Sequence, residues 1–370
     1  MRSWLPAIAV AMACSSNGDE TSTGGEPLRD ELSVRDADLP RPLEPTTKAR
    51  DAQASPDAWT FAVLSDLHLP NYFTSTVDHL VAELIALKVR FVVITGDHTN
   101  GSPLDGPGRR DKWWAALSSA LKPLRDAGIP VLPVAGNHDS YLPVQRDSYA
   151  STFDRSWANG VTINDTGTGK LARWPFSYSV DVDGLHLALA HVVSSKLDPE
   201  VAAWLAADLD GASRAQHRIA FGHVPLSSVI WSPSRVFVEQ LGTILERGKV
   251  SLYATGHEHV VWDEDVALPG GAKLRQVLVG CASGYYDYAP SEPSKIRAQC
   301  VPVVRPGQRE PMRCKMPNGG AFEIARGRKN RHIQHYKNAF VLVDVDGEQL
   351  RIRPMTVDGA GHAQPFYLPD

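Results

Sequence analysis

From Trp59 onward the chain alternates short apolar runs with segments whose apolar residues recur at helical spacing. Trp59 to Leu64, Phe91 to Thr95 and Ile129 to Ala135 are nearly unbroken apolar runs, the pattern of strands covered on both faces. Between the first two, Val77, Leu80, Val81, Leu84 and Leu87 fall on one side of a helix. Trp113 to Leu124 predicts a second helix, with Gly128 as its stop signal. This order predicts two right-handed β-α-β crossovers and a parallel sheet. Pro130 and Pro133 predict that the third strand is irregular.

The pattern then changes. Phe176 to Val182 and Leu185 to Val193 flank Asp183-Gly184, a hairpin signal. A helix is predicted over Pro199 to Leu209 and another over Val236 to Leu245. Strands are predicted over Arg218 to Phe221 and Val250 to Thr255. Lys273 to Cys281, Asn338 to Asp344 and Gln349 to Met355 give a β-rich C-terminal half, the last two flanking Asp346-Gly347. Periodicity alone gives mixed α/β. The two groups of strands predict a four-layer α/β/β/α sandwich, two mixed β-sheets flanked by helices.

Five short polar motifs stand where apolar runs end: Asp66-Leu67-His68, Gly96-Asp97, Gly136-Asn137-His138-Asp139, Gly222-His223 and Gly256-His257-Glu258-His259. In open α/β sheets ligands bind beyond the carboxyl ends of strands, where each motif lies. Asp66 and His68 project the same way if their strand continues to them, and the same holds for His257 and His259. Asp66, His68, Asp97, Asn137, His223, His257 and His259 offer hard oxygen and borderline nitrogen donors. They are too many for one tetrahedral ion and suit two ions sharing a carboxylate.

The ordered series resembles the calcineurin-like metallophosphoesterase superfamily over roughly Trp59 to Trp262. The resemblance implies that Asp66, His68 and His259 hold one metal, that Asn137, His223 and His257 hold the other, and that Asp97 bridges them. It implies that His138 contacts the phosphate and protonates the leaving oxygen, with Asp139 orienting its imidazole. The implied reaction is hydrolysis of a phosphodiester or phosphomonoester by a metal-bridging hydroxide. No Tyr follows Gly96-Asp97 as it does in purple acid phosphatases, which argues against a tyrosinate-iron site. The two divalent ions are then drawn from Mn, Fe, Zn, Co and Ni. His98 and Asn100, beside Asp97, are candidate substrate contacts, with second-layer or surface roles as the alternative. His191 is read as a buried or edge histidine. His79, His186, His217 and His362 have no motif and are assigned to the surface.

Composition bounds the rest. A hydrophobic content of 43% over 370 residues suffices for one large core or two modest domains. A net charge of −4 offers no global field for nucleic acid. Arg2, the apolar stretch Leu5 to Ala13 and Ala11-Met12-Ala13-Cys14 resemble a bacterial lipoprotein signal over residues 1–13, with Cys14 as the acylated residue. Residues 14–57 are rich in Ser, Gly, Thr, Pro and acids and are expected to form a disordered tether. The expected domain spans 58–360. The implied location is a bacterial cell envelope, membrane-anchored through Cys14, or otherwise soluble periplasmic or secreted. Cys281 is expected to be a buried thiol, while Cys300 and Cys314 could close a short loop. A basic insertion over about 285–337 opens with Tyr285 and Tyr286, candidate substrate contacts in a cap. The alternatives are a solvated surface loop or a surface for anionic lipid. Rival functions are a non-catalytic metal-binding lipoprotein, a phospholipid-cleaving enzyme and a nuclease.

Overall fold

The computed structural model describes residues 58–70, 74–228, 232–282, 299–302, 312–317, 321–326, 332–334, 338–358 and 360–366. The signal, tether and acylation expectations, and those for Tyr285 and Tyr286, fall outside these residues.

The first half follows the predicted alternation: β1 (Trp59–Leu64), α1 (Thr74–Ala86), β2 (Val92–Ile94), α2 (Pro107–Asp126), β3 (Val131–Pro133) and α3 (Pro143–Thr152). The second half begins with the hairpin β4 (Tyr178–Val182) and β5 (Leu185–Leu189). It continues through α4 (Pro199–Gly211), β6 (His217–Phe221), α5 (Arg235–Arg247), β7 (Leu252–Thr255), β8 (Val261–Ala267) and β9 (Lys273–Val279). After β10 (Gln299–Pro302), β11 (Met312–Lys315), β12 (Ala321–Arg326) and β13 (His332–Gln334) come β14 (Phe340–Asp346), β15 (Gln349–Val357) and β16 (Ala363–Pro365).

One six-stranded sheet has the order β16-β15-β14-β1-β2-β3, with β1, β2 and β3 parallel and β14 antiparallel to β1. The other has the order β4-β5-β6-β7-β9-β8, parallel from β5 to β9. Along β1 the pleat divides the side chains. Phe61 and Val63 enter the layer between the sheets, with Leu187, Ile219, Leu252 and Val277 opposite. Ala62 and Leu64 face α1 and α2, against Leu80, Leu84, Leu117 and Leu121. The second sheet turns Ala188, Ala220 and Tyr253 outward against Trp204 and Leu205 of α4 and Leu241 and Leu245 of α5. Both faces of each sheet are therefore apolar, which is the predicted four-layer sandwich. Fully burying one such side chain is worth roughly 1.5–3 kcal/mol. The proline-containing β3 lies at a sheet edge, where no ladder donor is needed from Pro133.

Local signals fix the helix starts. Asp198 accepts from Glu200 N ahead of Pro199 at α4, and the Ser234 hydroxyl accepts from Phe237 N at α5. Helix α3 has no counterpart in the sequence reading, since its only buried residues are Gln145 and Tyr149. The basic insertion, expected to be loop-like, carries a separate antiparallel meander, β10-β11-β12-β13. Its register sets Cys300 opposite Cys314, and their side chains lie outside the described ones. The first sheet also runs past residue 360 through β16, which pairs with β15.

Candidate metal centre

Every candidate ligand leaves the carboxyl end of a strand. Asp66 and His68 follow β1, Asp97 follows β2, and Asn137 follows β3. His223 follows β6, and His257 and His259 follow β7. The strands do not continue into the motifs. Asp66, His68, Asp97, His257 and His259 all take left-handed backbone angles, with φ of 54°, 46°, 51°, 74° and 52°. The Asp-x-His and His-x-His pairs therefore converge through left-handed turns and not through a shared strand face. Such angles are uncommon in residues with a Cβ and persist only where the surroundings impose them. Here the turns brace one another: Asp66 N donates to Gly96 O at 3.0 Å and His68 N to Asp97 O at 2.9 Å. Gly96 is required twice, because its φ is 105° and because a Cβ there would overlap the His223 ring.

The donor atoms form two groups joined by one carboxylate. In the first, His259 Nε2 lies 3.3 Å from Asp66 Oδ1 and 3.0 Å from His68 Nε2. In the second, Asn137 Oδ1 lies 2.9 Å from both His223 Nε2 and His257 Nδ1. Asp97 Oδ2 sits between them, 3.7 Å from His68 Nε2 and 3.2 Å from His223 Nε2. His138 Nε2 stands 4.0 Å from the same oxygen, so His68, Asp97 and His138 form a third possible cation-binding trio.

Tautomers follow from the outer partners. His223 Nδ1 is 2.8 Å from Thr95 O, a pure acceptor, so Nδ1 carries a proton and Nε2 is the nitrogen turned to the centre. Burial alone would lower the pKa of His223, but the adjacent Asp97 carboxylate lifts it to about 9. Burial and the charge of His223 push His257 down to about 3. Burial works to raise Asp66 and Asp97, yet the surrounding imidazoles hold both well below the usual carboxylate range. Two permanently ionised carboxylates, an amide oxygen and inward imidazole nitrogens packed at about hydrogen-bond distance fit divalent cations well. A cation turns lone pairs that oppose one another into shared ligands.

Two sequence assignments require correction. Asp139 does not orient His138. Its carboxylate is buried against His98, with Oδ2 at 2.8 Å from His98 Nδ1, and it also accepts from the backbone N–H groups of His98 and Gly136. The His138 ring is held instead by Gly101 O, 2.6 Å from Nδ1. His98 is not a substrate contact, for its ring is fully buried against Phe153 and Tyr149. Asn100 remains exposed beside the site. His186, assigned to the surface, is buried between two carboxylates, while His191 is buried as expected and meets Ser140 Oγ at 2.8 Å. Cys281 is the expected buried thiol and donates to Asp66 O at 3.0 Å.

Sequence reasoning also passed over Tyr141, whose hydroxyl accepts from Asn137 Nδ2 at 2.8 Å. Its only signal was proximity to the Asn137 motif.

The family profile for calcineurin-like phosphoesterases matches residues 60–261. The fold is similar to a dimetal phosphatase from Danio rerio, with 15% identity, TM-score 0.45, and coverage of 75% of this chain and 99% of that one. It is also similar to purple acid phosphatase PPD1 from yellow lupin, with 13% identity, TM-score 0.49, and coverage of 84% and 55%. GAP50, the anchor in the inner membrane complex of Plasmodium, gives 13% identity, TM-score 0.47, and coverage of 85% and 90%. No curated protein matches the chain.

Proposed function

The chain belongs to the calcineurin-like phosphoesterase family, and from that premise we propose that it hydrolyses a small-molecule phosphodiester or phosphomonoester with two divalent cations. The observation that carries this reading is Asp97 Oδ2, set within 3.7 Å of His68 Nε2 and 3.2 Å of His223 Nε2, as a shared ligand requires.

Asp66, His68 and His259 would hold one cation, and Asn137, His223 and His257 the other. When bound, the pair supplies Lewis acidity to the phosphoryl oxygens and acidifies water near neutral pH. His138 acts beside them. Because Nδ1 is committed to Gly101 O, the protonated ring presents Nε2–H to the leaving oxygen. The reading needs no serine or cysteine nucleophile. Leu104, Leu142 and Val144, three of the four exposed large hydrophobics among the described residues, stand on the two segments flanking His138. The net charge of −4 offers no global field for a nucleic-acid strand.

The N-terminal sequence supports export with Cys14 as a lipid anchor, making the membrane surface the protein's partner. Metabolic labelling with a fatty acid should mark the wild type and not Cys14→Ser. Equal labelling of both would remove the anchor from this reading.

The function is tested by assaying protein loaded with Mn(II) or Zn(II) against bis-p-nitrophenyl phosphate and p-nitrophenyl phosphate. Failure on both favours a non-catalytic metal-binding protein. His138→Ala should keep the cations and lose most turnover, whereas loss of a cation would make His138 a ligand.

A further inference from the structure

We propose that Tyr141 is a positioning residue for the second cation, acting by fixing which face of the Asn137 amide meets the metal centre. This rests on the dinuclear reading above.

An asparagine side chain has one face that accepts and one that donates, of nearly equal shape. Only the oxygen can serve a cation, and the amide group turned inward would oppose it. Asn137 is half-buried, and its Oδ1 lies 2.9 Å from both His223 Nε2 and His257 Nδ1. The other end of the amide needs an acceptor, and Tyr141 Oη provides it at 2.8 Å. The turn between the two is closed by Ser140 N donating to Asn137 O at 3.1 Å.

Tyr141 is itself held on both sides. Ser140 Oγ is bonded to the buried His191, and Leu142 N donates to Gln145 Oε1 at 2.9 Å at the start of α3. The Tyr141 ring also lies edge-on to His138, with centroids 5.2 Å apart. The ring therefore packs against the candidate acid while the hydroxyl sets the ligand. Tyr141→Phe separates the two functions, since it deletes the hydroxyl and keeps the ring.

Isothermal titration of the full-length protein with Mn(II) tests the proposal. The wild type should bind two cations. Tyr141→Phe should weaken the second on the order of 10- to 100-fold, the usual effect of removing a partner that orients a ligand, and leave the first unchanged. In an Asn137→Asp background the carboxylate has no wrong face, so adding Tyr141→Phe should change the second affinity less than about 2-fold. Unchanged second affinity in the single variant overturns the proposal. So does an equal loss in both backgrounds, which would show that the hydroxyl acts other than by choosing the amide face. A wild type that binds fewer than two cations would instead sink the dinuclear reading.

Discussion

The backbone N–H of His138 donates to Asp97 Oδ1 at 2.8 Å, leaving Oδ2 as the oxygen turned toward the imidazoles. One carboxylate thus joins the loop after β3 to the loop after β2 and supplies the atom common to both donor groups. Asp97→Asn should keep an acceptor for the His138 N–H and remove the shared negative charge. Bound cations, counted by plasma emission, should fall from two to one or none. Hydrolysis should drop on the order of 10²-fold or more, comparable to losing a major charge-stabilising group. A variant that retains both cations would show that Asp97 is not the bridge.

Asp139 and His98 form a wholly buried pair that also satisfies backbone donors of two loops. Removing one member of such a pair strands a buried polar group, at roughly 1–3 kcal/mol. Asp139→Ala should lower the denaturant midpoint accordingly, and His98→Ala should do likewise. Asp139→Asn should leave the pH dependence of kcat in place, because Asp139 does not touch His138. A displaced pH profile in that variant would restore Asp139 to the acid's side.

The order and strand-end placement of the candidate ligands were legible because motif glycines and apolar runs are local signals. Their convergence was not. It arises from left-handed turns at Asp66, His68, Asp97, His257 and His259, a conformation uncommon in residues with a Cβ and without a periodic signal in the sequence. His98 was misread for the same reason. Beside Asp97 in sequence, it points away from the centre, into the aromatic group of Tyr149 and Phe153. Met312-Arg313-Cys314-Lys315 does alternate apolar and basic residues, yet the density of charge hid the strand period of β11.

His186 offers a test remote from the candidate metal centre. It bridges Asp181 of its own hairpin and Asp208 of α4, each at 2.8 Å, with Ser179 bonded to Asp208 and Asn164 to Asp181. Burial opposes its charge, but the two carboxylates prevail and raise its pKa above 6.5. A raised folded-state pKa gives stability that is complete below 6.5 and lost as pH climbs through the folded value. The Tm deficit of His186→Asn relative to wild type should therefore be largest near pH 6 and shrink toward pH 9. A deficit independent of pH would show that packing, not charge, is the contribution.

Chelation combines the two themes. Cations present at about 100 times their dissociation constant stabilise by roughly 2.7 kcal/mol, so EDTA should lower Tm and Mn(II) should restore it. The size of the drop should itself depend on pH. Without cations, protonated His223 is the nearest substitute for positive charge beside Asp97, with its pKa lifted to about 9. Its stabilisation is complete below 6.5 and disappears as pH rises through 9, whereas a bound cation holds the imidazole unprotonated throughout. The Tm gap between metal-loaded and chelated protein should accordingly widen from pH 6.5 to 9, as read by scanning calorimetry. Asp97→Asn should show a smaller gap and little widening. A wild-type gap that narrows with pH would contradict the assignment of His223 as an imidazole that exchanges a proton for a metal.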